Sequence, residues 1–184
     1  IPSLKRRVIW DDTWAKTNIA GQLHQTQVPI YNDGGWYDIF SYGNIRNFLY
    51  LQNFGVPGAK GKQRLSMGPY GHGPLSGELA YPSLADDAAQ SKIEELRWFS
   101  YWLKGEANGI DDEPPVRYYM MASAREGAFS ALNGWKRAEH WPPPNLPTRY
   151  YLKSDRTLDT AATSYPEKTS ISYQFDPKNP VKTV

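Results

Sequence analysis

The sequence predicts an α/β fold in its first part and an all-β segment in its second part. In the first part, short apolar strand candidates alternate with longer segments whose apolar residues recur every three or four positions. This alternation is typical of a parallel sheet covered by helices. After the acidic, proline-rich stretch 109–115, helical spacing gives way to short strand-like pieces punctuated by Pro and Gly. We therefore predict two domains, 1–112 and 113–184.

The elements of the first domain follow from hydrophobic spacing and from capping residues. Asp11 can cap a helix at its start, and Gly55 and Gly105 can each end one. The predicted elements are, in order, short helical turns over 10–27, a strand over 28–31, a helix over 38–53, a strand over 63–67 and a helix over 86–103.

The second domain offers only a few strand candidates. They cover residues 116–121, 148–152 and 170–175. These are too few to close a β-sandwich. We expect this domain to be the beginning of a larger β structure.

Bulk composition excludes several classes of function. The net charge is +2 and Lys and Arg are spread along the chain, so the sequence shows no basic cluster that would indicate nucleic-acid binding. The chain has no cysteine, and its apolar runs are too short to span a membrane. The first residues resemble no signal peptide and do not begin with Met, so we expect the start to be an interior cut. Aromatic residues reach 14%, which favours well-filled cores over a sugar site.

Two strand-end loops carry the chemistry that the sequence suggests. One delivers Asp38 after a Gly34–Gly35 pair, which we expect to turn the backbone sharply, and the other delivers His72 between two glycines. An acid and then an imidazole, in this chain order, are typical of the last two members of a Ser–Asp–His triad on an α/β sheet. Asp38 could instead cap a helix, and Asp33 in the same loop could take either role.

Other readings of these residues remain open. His24 lies in a polar helical stretch and His140 beside a proline run, so both are expected to be structural. Asp33, Asp38 and His72 could bind a metal, but no second histidine stands at ligand spacing. We predict no metal and no cofactor.

The chain lacks a recognisable nucleophile. No G-x-S-x-G occurs in the sequence. Ser41 and Ser66 fall in a predicted helix and strand, and Ser76 follows His72 without a strand-to-helix elbow. The chain therefore supplies an acid and a base with no serine for them to activate.

Several spaced motifs extend over nearly the whole chain. They are residues 11–14 (DDTW), 28–38 (VPIYNDGGWYD), 68–72 (GPYGH), 96–105 (LRWFSYWLKG), 113–117 (EPPVR) and the region of 173–181. In this order they resemble the X-Pro dipeptidyl-peptidase and CocE/NonD serine hydrolases, a group of esterases, α-amino acid ester hydrolases and acylases.

The resemblance implies that residues 1–112 are the C-terminal part of an α/β-hydrolase domain, with 1–20 leaving a helical cap. Residues 113–184 would then begin a jelly roll. Asp38 would be the triad acid and His72 the base, while the serine and an oxyanion tyrosine would lie before Ile1. Phe40 would line the acyl pocket, with Trp36 and Tyr70 also near the substrate.

The same resemblance narrows the substrate to an ester or amide. The amino ester hydrolases carry an acidic pair where this chain has Phe40 and Ser41, so an uncharged acyl group is favoured.

The expected partners are a small ester or amide and the remainder of the same polypeptide, with no nucleic acid and no membrane. Oligomeric state and compartment stay open. The principal alternative is an aromatic-rich β module that binds carbohydrate or a partner through Trp135 or Trp141. A third hypothesis is that the chain belongs to a degenerate, non-catalytic homologue of these hydrolases.

Overall fold

The computed structural model describes residues 10–73, 84–122, 132–153, 155–162 and 174–180. Along the chain, these residues fall into two compact units, 1–141 and 142–184. The first unit contains a four-stranded sheet with helices. The described part of the second contains a two-stranded antiparallel sheet of β5 (Tyr151–Leu152) and β6 (Leu158–Asp159).

The sheet of the first unit has the strand order β1-β2-β3-β4. Its strands are β1 (Tyr31–Tyr37), β2 (Arg64–Gly71), β3 (Val116–Met120) and β4 (Gly134–Ala138). β1, β2 and β3 are parallel, and β4 pairs antiparallel with β3. The predicted α/β class with a parallel sheet thus describes the first unit.

The described residues contain three α-helices, α1 (Asp12–Thr17), α2 (Ser41–Phe54) and α3 (Leu84–Lys104). Two 3-10 turns, Ile19–Gly21 and Leu23–Gln25, come directly after α1. Asp11 caps α1 as predicted, because its carboxylate accepts hydrogen bonds from the backbone N–H groups of Thr13 and Trp14. Gly105 follows α3 with φ +71°, the left-handed conformation that glycine adopts at helix ends.

One face of the sheet packs against α2. Its core contains the buried residues Phe48, Leu65, Met67 and Val116. A second buried cluster of Leu23, Leu51 and Ala59 lies at the far end of α2. These apolar contacts fix α2 on the sheet, and with it the loop that joins β1 to α2.

The opposite face carries a network of buried charge. The guanidinium of Arg64, which is 2% exposed, contacts Glu94 at 3.4 Å and Glu113 at 2.6 Å. Arg97 and Arg137 also contact both glutamates, at 2.6–3.4 Å. The network joins β2, α3, β4 and the segment before β3 through paired charges, which is the form in which buried charge is tolerated.

The glycine pair of β1 lies inside the strand, so the expected sharp turn at Gly34–Gly35 is wrong. The glycines serve close packing instead. A Cβ at Gly34 would collide with the Asn44 side chain, and one at Gly35 would collide with the backbone oxygen and ring of Tyr70. Strand β1 therefore starts later than predicted and runs up to the residue before Asp38.

Residues 113–121 do not leave the sheet at the predicted domain boundary. β3 pairs with β2, and the N–H of Leu65 donates to the carbonyl of Pro115 at 2.9 Å. The sheet therefore continues past residue 113, and the first compact unit extends to Trp141. The division into 1–112 and 113–184 stays a prediction, as does the jelly roll.

The remaining strand expectations have mixed outcomes. The strand predicted over 148–152 corresponds to β5, which is shorter, and β4 and β6 were not anticipated. Most of the strand predicted over 170–175 lies outside the described residues. Within the described ranges, no helix is long and apolar enough to cross a membrane.

Replacing Gly35 by Ala is expected to destabilise the fold by about 1–3 kcal/mol, since the new methyl group overlaps the Tyr70 backbone. Urea unfolding of the protein measures the change. Gly43→Ala is the matched control: it adds the same methyl group to α2 with no neighbouring atom within 4 Å, and should stabilise by about 0.5–1 kcal/mol. Equal stability of the Gly35→Ala and unchanged proteins would contradict the close approach.

Glu113→Gln is expected to cost about 2 kcal/mol at pH 7. Burial alone would raise the pKa of Glu113, but hydrogen bonds from Arg97 and Arg64 outweigh it and hold the pKa below its usual value. A lowered pKa adds stability above the unfolded-state value of about 4.3, and this stability is lost as pH falls through the folded-state pKa. The difference between the two proteins should therefore shrink on acidification.

Thermal unfolding from pH 7 to pH 3 checks this expectation. Glu106→Gln is the control, because Glu106 forms an exposed ion pair with Lys104 at 3.7 Å, and such pairs contribute little. A pH-independent effect at Glu113 would show that its charge is not what stabilises the network.

Candidate active site

The two predicted site residues follow neighbouring parallel strands. Asp38 comes directly after β1 and His72 directly after β2. The carboxyl ends of adjacent parallel strands meet at one edge of a sheet, which is where open α/β sheets place their sites. The topology therefore brings the two loops together as the sequence predicts.

The Asp38 carboxylate faces the His72 ring. Nδ1 of His72 lies 3.4 Å from Oδ1 and 3.5 Å from Oδ2 of Asp38. This separation is longer than a well-formed hydrogen bond, although catalytic contacts are often loose before substrate binds. The side chain of Asp38 is 14% exposed, whereas that of His72 is 68% exposed. The acid is thus enclosed while the imidazole faces outward.

The backbone around Asp38 holds its carboxylate in place. Oδ1 accepts a hydrogen bond from the N–H of Phe40 at 2.8 Å, and the carbonyl of Asp38 accepts one from the N–H of Ser41 at 3.1 Å. The N–H of Asp38 donates to the carbonyl of Gly35 at 3.1 Å. The residue at the N-cap of α2 is Phe40, so Asp38 belongs to the turn before the helix, and both of its carboxylate oxygens lie within 3.5 Å of His72 Nδ1.

Phe40 packs on the imidazole. Its ring meets that of His72 edge to face, with 5.1 Å between centroids and 74° between planes. The Phe40 side chain is nevertheless 56% exposed. It forms an apolar surface beside the imidazole, and its predicted contact with the substrate stays a prediction.

Asp33 points to a different partner. The hydroxyl of Tyr70 lies 3.2 Å and 3.3 Å from the two carboxylate oxygens of Asp33. The residue Asp33 as a whole is exposed, but protein atoms surround its carboxyl group. The resulting loss of water around the carboxyl group raises the pKa of Asp33. Of the two aspartates in the segment, Asp38 is the one that contacts His72.

Two residues expected near the substrate make other contacts. The Trp36 indole N–H donates to the carbonyl of Tyr119 at 2.9 Å, and its ring packs on Trp141 at 5.6 Å. Trp36 therefore packs with the sheet core. Tyr70 is turned toward Asp33. A substrate contact by either residue stays a prediction.

The other candidates from the sequence are now placed. Ser41 begins α2, Ser66 is fully buried in β2, and Ser76 lies outside the described residues. His24 lies in the 3-10 turn Leu23–Gln25, and His140 follows β4. Across the residues that the structure describes, no cluster of three or more His, Cys, Asp or Glu side chains could hold a metal ion.

Sequence reasoning missed the irregular pairing of β1 with β2. Gly35 pairs with Gly68, but Tyr37 pairs with Gly71, so β2 contains one residue more than β1 over this stretch. The two glycines at the start of the irregularity and Pro69 inside it are the only signals that the sequence offered.

Comparison with known proteins finds relatives over most of the chain. Residues 108–180 match the X-Pro dipeptidyl-peptidase C-terminal non-catalytic domain. Two proteins that carry the name serine esterase, from Mycobacterium bovis and Mycobacterium tuberculosis, are each 35% identical over 148 residues, covering 77% of this chain and 20% of their own length. Cocaine esterase from a Rhodococcus species is 26% identical over 187 residues, covering 95% of this chain and 30% of that protein.

A solved structure shares the fold. The crystal structure of a CocE/NonD family hydrolase from Staphylococcus aureus matches with a TM-score of 0.57 and 20% identity, over 87% of this chain and 25% of that one. The chain spans only 20% to 30% of the length of the curated relatives named above. These likenesses place the chain in the X-Pro dipeptidyl-peptidase and CocE/NonD family of hydrolases, where it corresponds to a C-terminal portion.

Proposed function

We propose that Asp38 and His72 are the acid and the base of a Ser–His–Asp triad in a hydrolase that cleaves an ester or amide. The observation that carries the proposal is the approach of His72 Nδ1 to both carboxylate oxygens of Asp38, at 3.4 Å and 3.5 Å, where two adjacent parallel strands end. An acid that faces Nδ1 fixes the tautomer in which the other ring nitrogen can accept a proton.

The geometry supports different roles for His72, which transfers protons, and Asp38, which stabilises the charged imidazole. Nε2 of the exposed imidazole takes the proton of the serine hydroxyl while the serine oxygen attacks the substrate carbonyl. It then gives that proton to the departing alcohol or amine, leaving an acyl-enzyme. A water molecule then attacks the acyl-enzyme in the same way, with His72 again as the base, and the carboxylic acid product is released. Asp38 stays ionised throughout and stabilises the imidazolium.

The nucleophile in this proposal comes from another part of the full-length protein. The sequence of this chain contains no G-x-S-x-G, and the serine esterases it resembles are about four times as long. The chain on its own is then inactive toward esters, and its role is to supply the proton-transferring half of the site.

Phe40 supports an uncharged acyl group as the substrate. Its exposed ring stands beside the imidazole, where the acyl portion of a bound ester would lie. Position 40 thus offers apolar surface and no charge for a substrate ammonium group. Specificity for an apolar acyl group is the simplest consequence.

Residues 108–180 have a non-catalytic role in this proposal, in line with the description of the domain that they match. The alternative of a carbohydrate-binding surface at Trp135 or Trp141 is less well supported. Trp141 packs against Trp36 and Tyr118, and Trp135 packs against Tyr119 and Arg117. Both rings are therefore engaged within the first unit.

In the full-length protein, Asp38→Asn is expected to lower kcat for p-nitrophenyl ester hydrolysis by about four orders of magnitude, because the imidazole loses its charged partner. His72→Asn should cost at least as much. Matched controls are Asp12→Asn in α1 and His24→Asn, which are expected to leave the rate unchanged. Wild-type turnover by His72→Asn would refute the proposed base.

Phe40→Ala is expected to lower kcat/KM for a benzoyl ester by roughly tenfold relative to an acetyl ester, since an apolar contact of about 1.5 kcal/mol is lost. The ratio between the two esters isolates acyl recognition from any loosening of His72. Tyr42→Ala, which removes another exposed aromatic ring, is the control. An unchanged ratio at Phe40 would place the acyl pocket elsewhere.

A further inference from the structure

The pairing of β1 with β2 changes register just before the two proposed catalytic residues. From Tyr31 to Gly35 each β1 residue pairs with the β2 residue 33 positions later, whereas Tyr37 pairs with Gly71, 34 positions later. Pro69 and Tyr70 therefore stand opposite the single residue Trp36. This is a β-bulge in β2, a device that re-aims the residues that follow it.

The bulge decides which residue stands beside Asp38. If the shifted register continues for one more residue, Asp38 stands opposite His72. If the earlier register had continued, Asp38 would stand opposite Gly71 instead, and His72 opposite Ile39. Because side chains alternate between the two faces of a strand, a one-residue difference would turn the imidazole away from the carboxylate. The contact between His72 and Asp38 thus depends on one extra residue in β2.

Tyr70 lies in the bulge and is anchored to β1 ahead of it. Its hydroxyl reaches back to the Asp33 carboxylate at 3.2 Å and 3.3 Å. Its ring lies over Gly68 and Gly35, where any side chain would collide with it. The Tyr70 side chain is thus held by a hydrogen bond at its hydroxyl and by packing of its ring on the two glycines.

We propose that Tyr70 and Asp33 are a positioning pair, which pins the β2 bulge and so keeps His72 in register with Asp38. This inference rests on the proposed function, because it assigns a task to residues that support the triad. Neither side chain touches the substrate in this scheme; both act through the backbone between residues 68 and 72. The Tyr70–Asp33 hydrogen bond is the interaction on which this role depends.

The chemistry of the pair suits a permanent tether. Burial, reinforced by the nearby Asp33 charge, raises the pKa of Tyr70, so its phenol stays protonated and remains a donor at neutral and alkaline pH. The Asp33 carboxyl group offers an acceptor oxygen in either protonation state. The tether therefore holds across the pH range in which a His base operates.

Tyr70→Phe and Asp33→Ala in the full-length protein test the proposal. Each is expected to lower kcat by 10- to 100-fold, the cost of a misplacement of about 1 Å, with KM changed by less than twofold. The double variant should lose no more than either single variant, because both remove the same tether. Asp33→Asn keeps an acceptor oxygen and should restore most of the rate.

The controls separate this inference from the proposed function. Tyr50→Phe removes a phenolic hydroxyl from α2, away from the bulge, and should leave kcat and KM unchanged. Asp38→Asn, measured beside it, reports on the triad itself. If Tyr70→Phe fails to fold, Asp33→Ala and Asp33→Asn carry the comparison, because Asp33 lies on an accessible edge.

Each unfavourable outcome has its own meaning. A large loss in Asp38→Asn with unchanged kcat in Tyr70→Phe and Asp33→Ala overturns the positioning pair and leaves the triad intact. A rise in KM alone in Tyr70→Phe also overturns it, since Tyr70 would then contact the substrate. An Asp38→Asn variant with full activity overturns the proposed triad and removes the basis of this inference.

Discussion

The site depends above all on how closely strands β1 and β2 approach each other. Glycine at positions 35 and 68 leaves room for the Tyr70 ring and the β2 backbone to lie against β1, and a methyl group at either position would collide with Tyr70. This approach permits the bulge, and the bulge sets the order in which the strand-end residues face one another. The proposed chemistry therefore depends on backbone packing, which brings the two side chains together, as well as on the types of the side chains.

The two faces of the sheet stabilise this arrangement by different means. Apolar packing of Phe48 on Leu65 and Met67 fixes α2, and thereby the turn that presents Asp38. On the other face, the Arg64 network ties β2 to α3 and β4. His72 itself is largely exposed, which leaves the imidazole accessible to a substrate and to a nucleophile from elsewhere in the protein.

Helices and motif residues could be predicted from the sequence, whereas strand pairing could not. The spacing of Ile45, Phe48 and Leu49 predicted α2 to within a few residues, because helical periodicity is a local property. The Asp38–His72 contact was anticipated from chain order. The role of Gly35 was misjudged and β4 was missed, because both depend on partners distant in sequence. Asp33 and Tyr70 share that limitation, being 37 positions apart.

The buried arginine of β2 also has a consequence for the order in which the chain can fold during synthesis. Arg64 leaves the ribosome long before its partners Glu94 and Glu113, and Arg137, which completes the cluster, comes later still. An unpaired guanidinium costs several kcal/mol to bury, so this face of the nascent sheet stays open to water until residue 113 has emerged. This face of the sheet can therefore pack only after the segment leading into β3 has been synthesised. Burial of Arg64 in a sheet that lacks this segment is unfavourable.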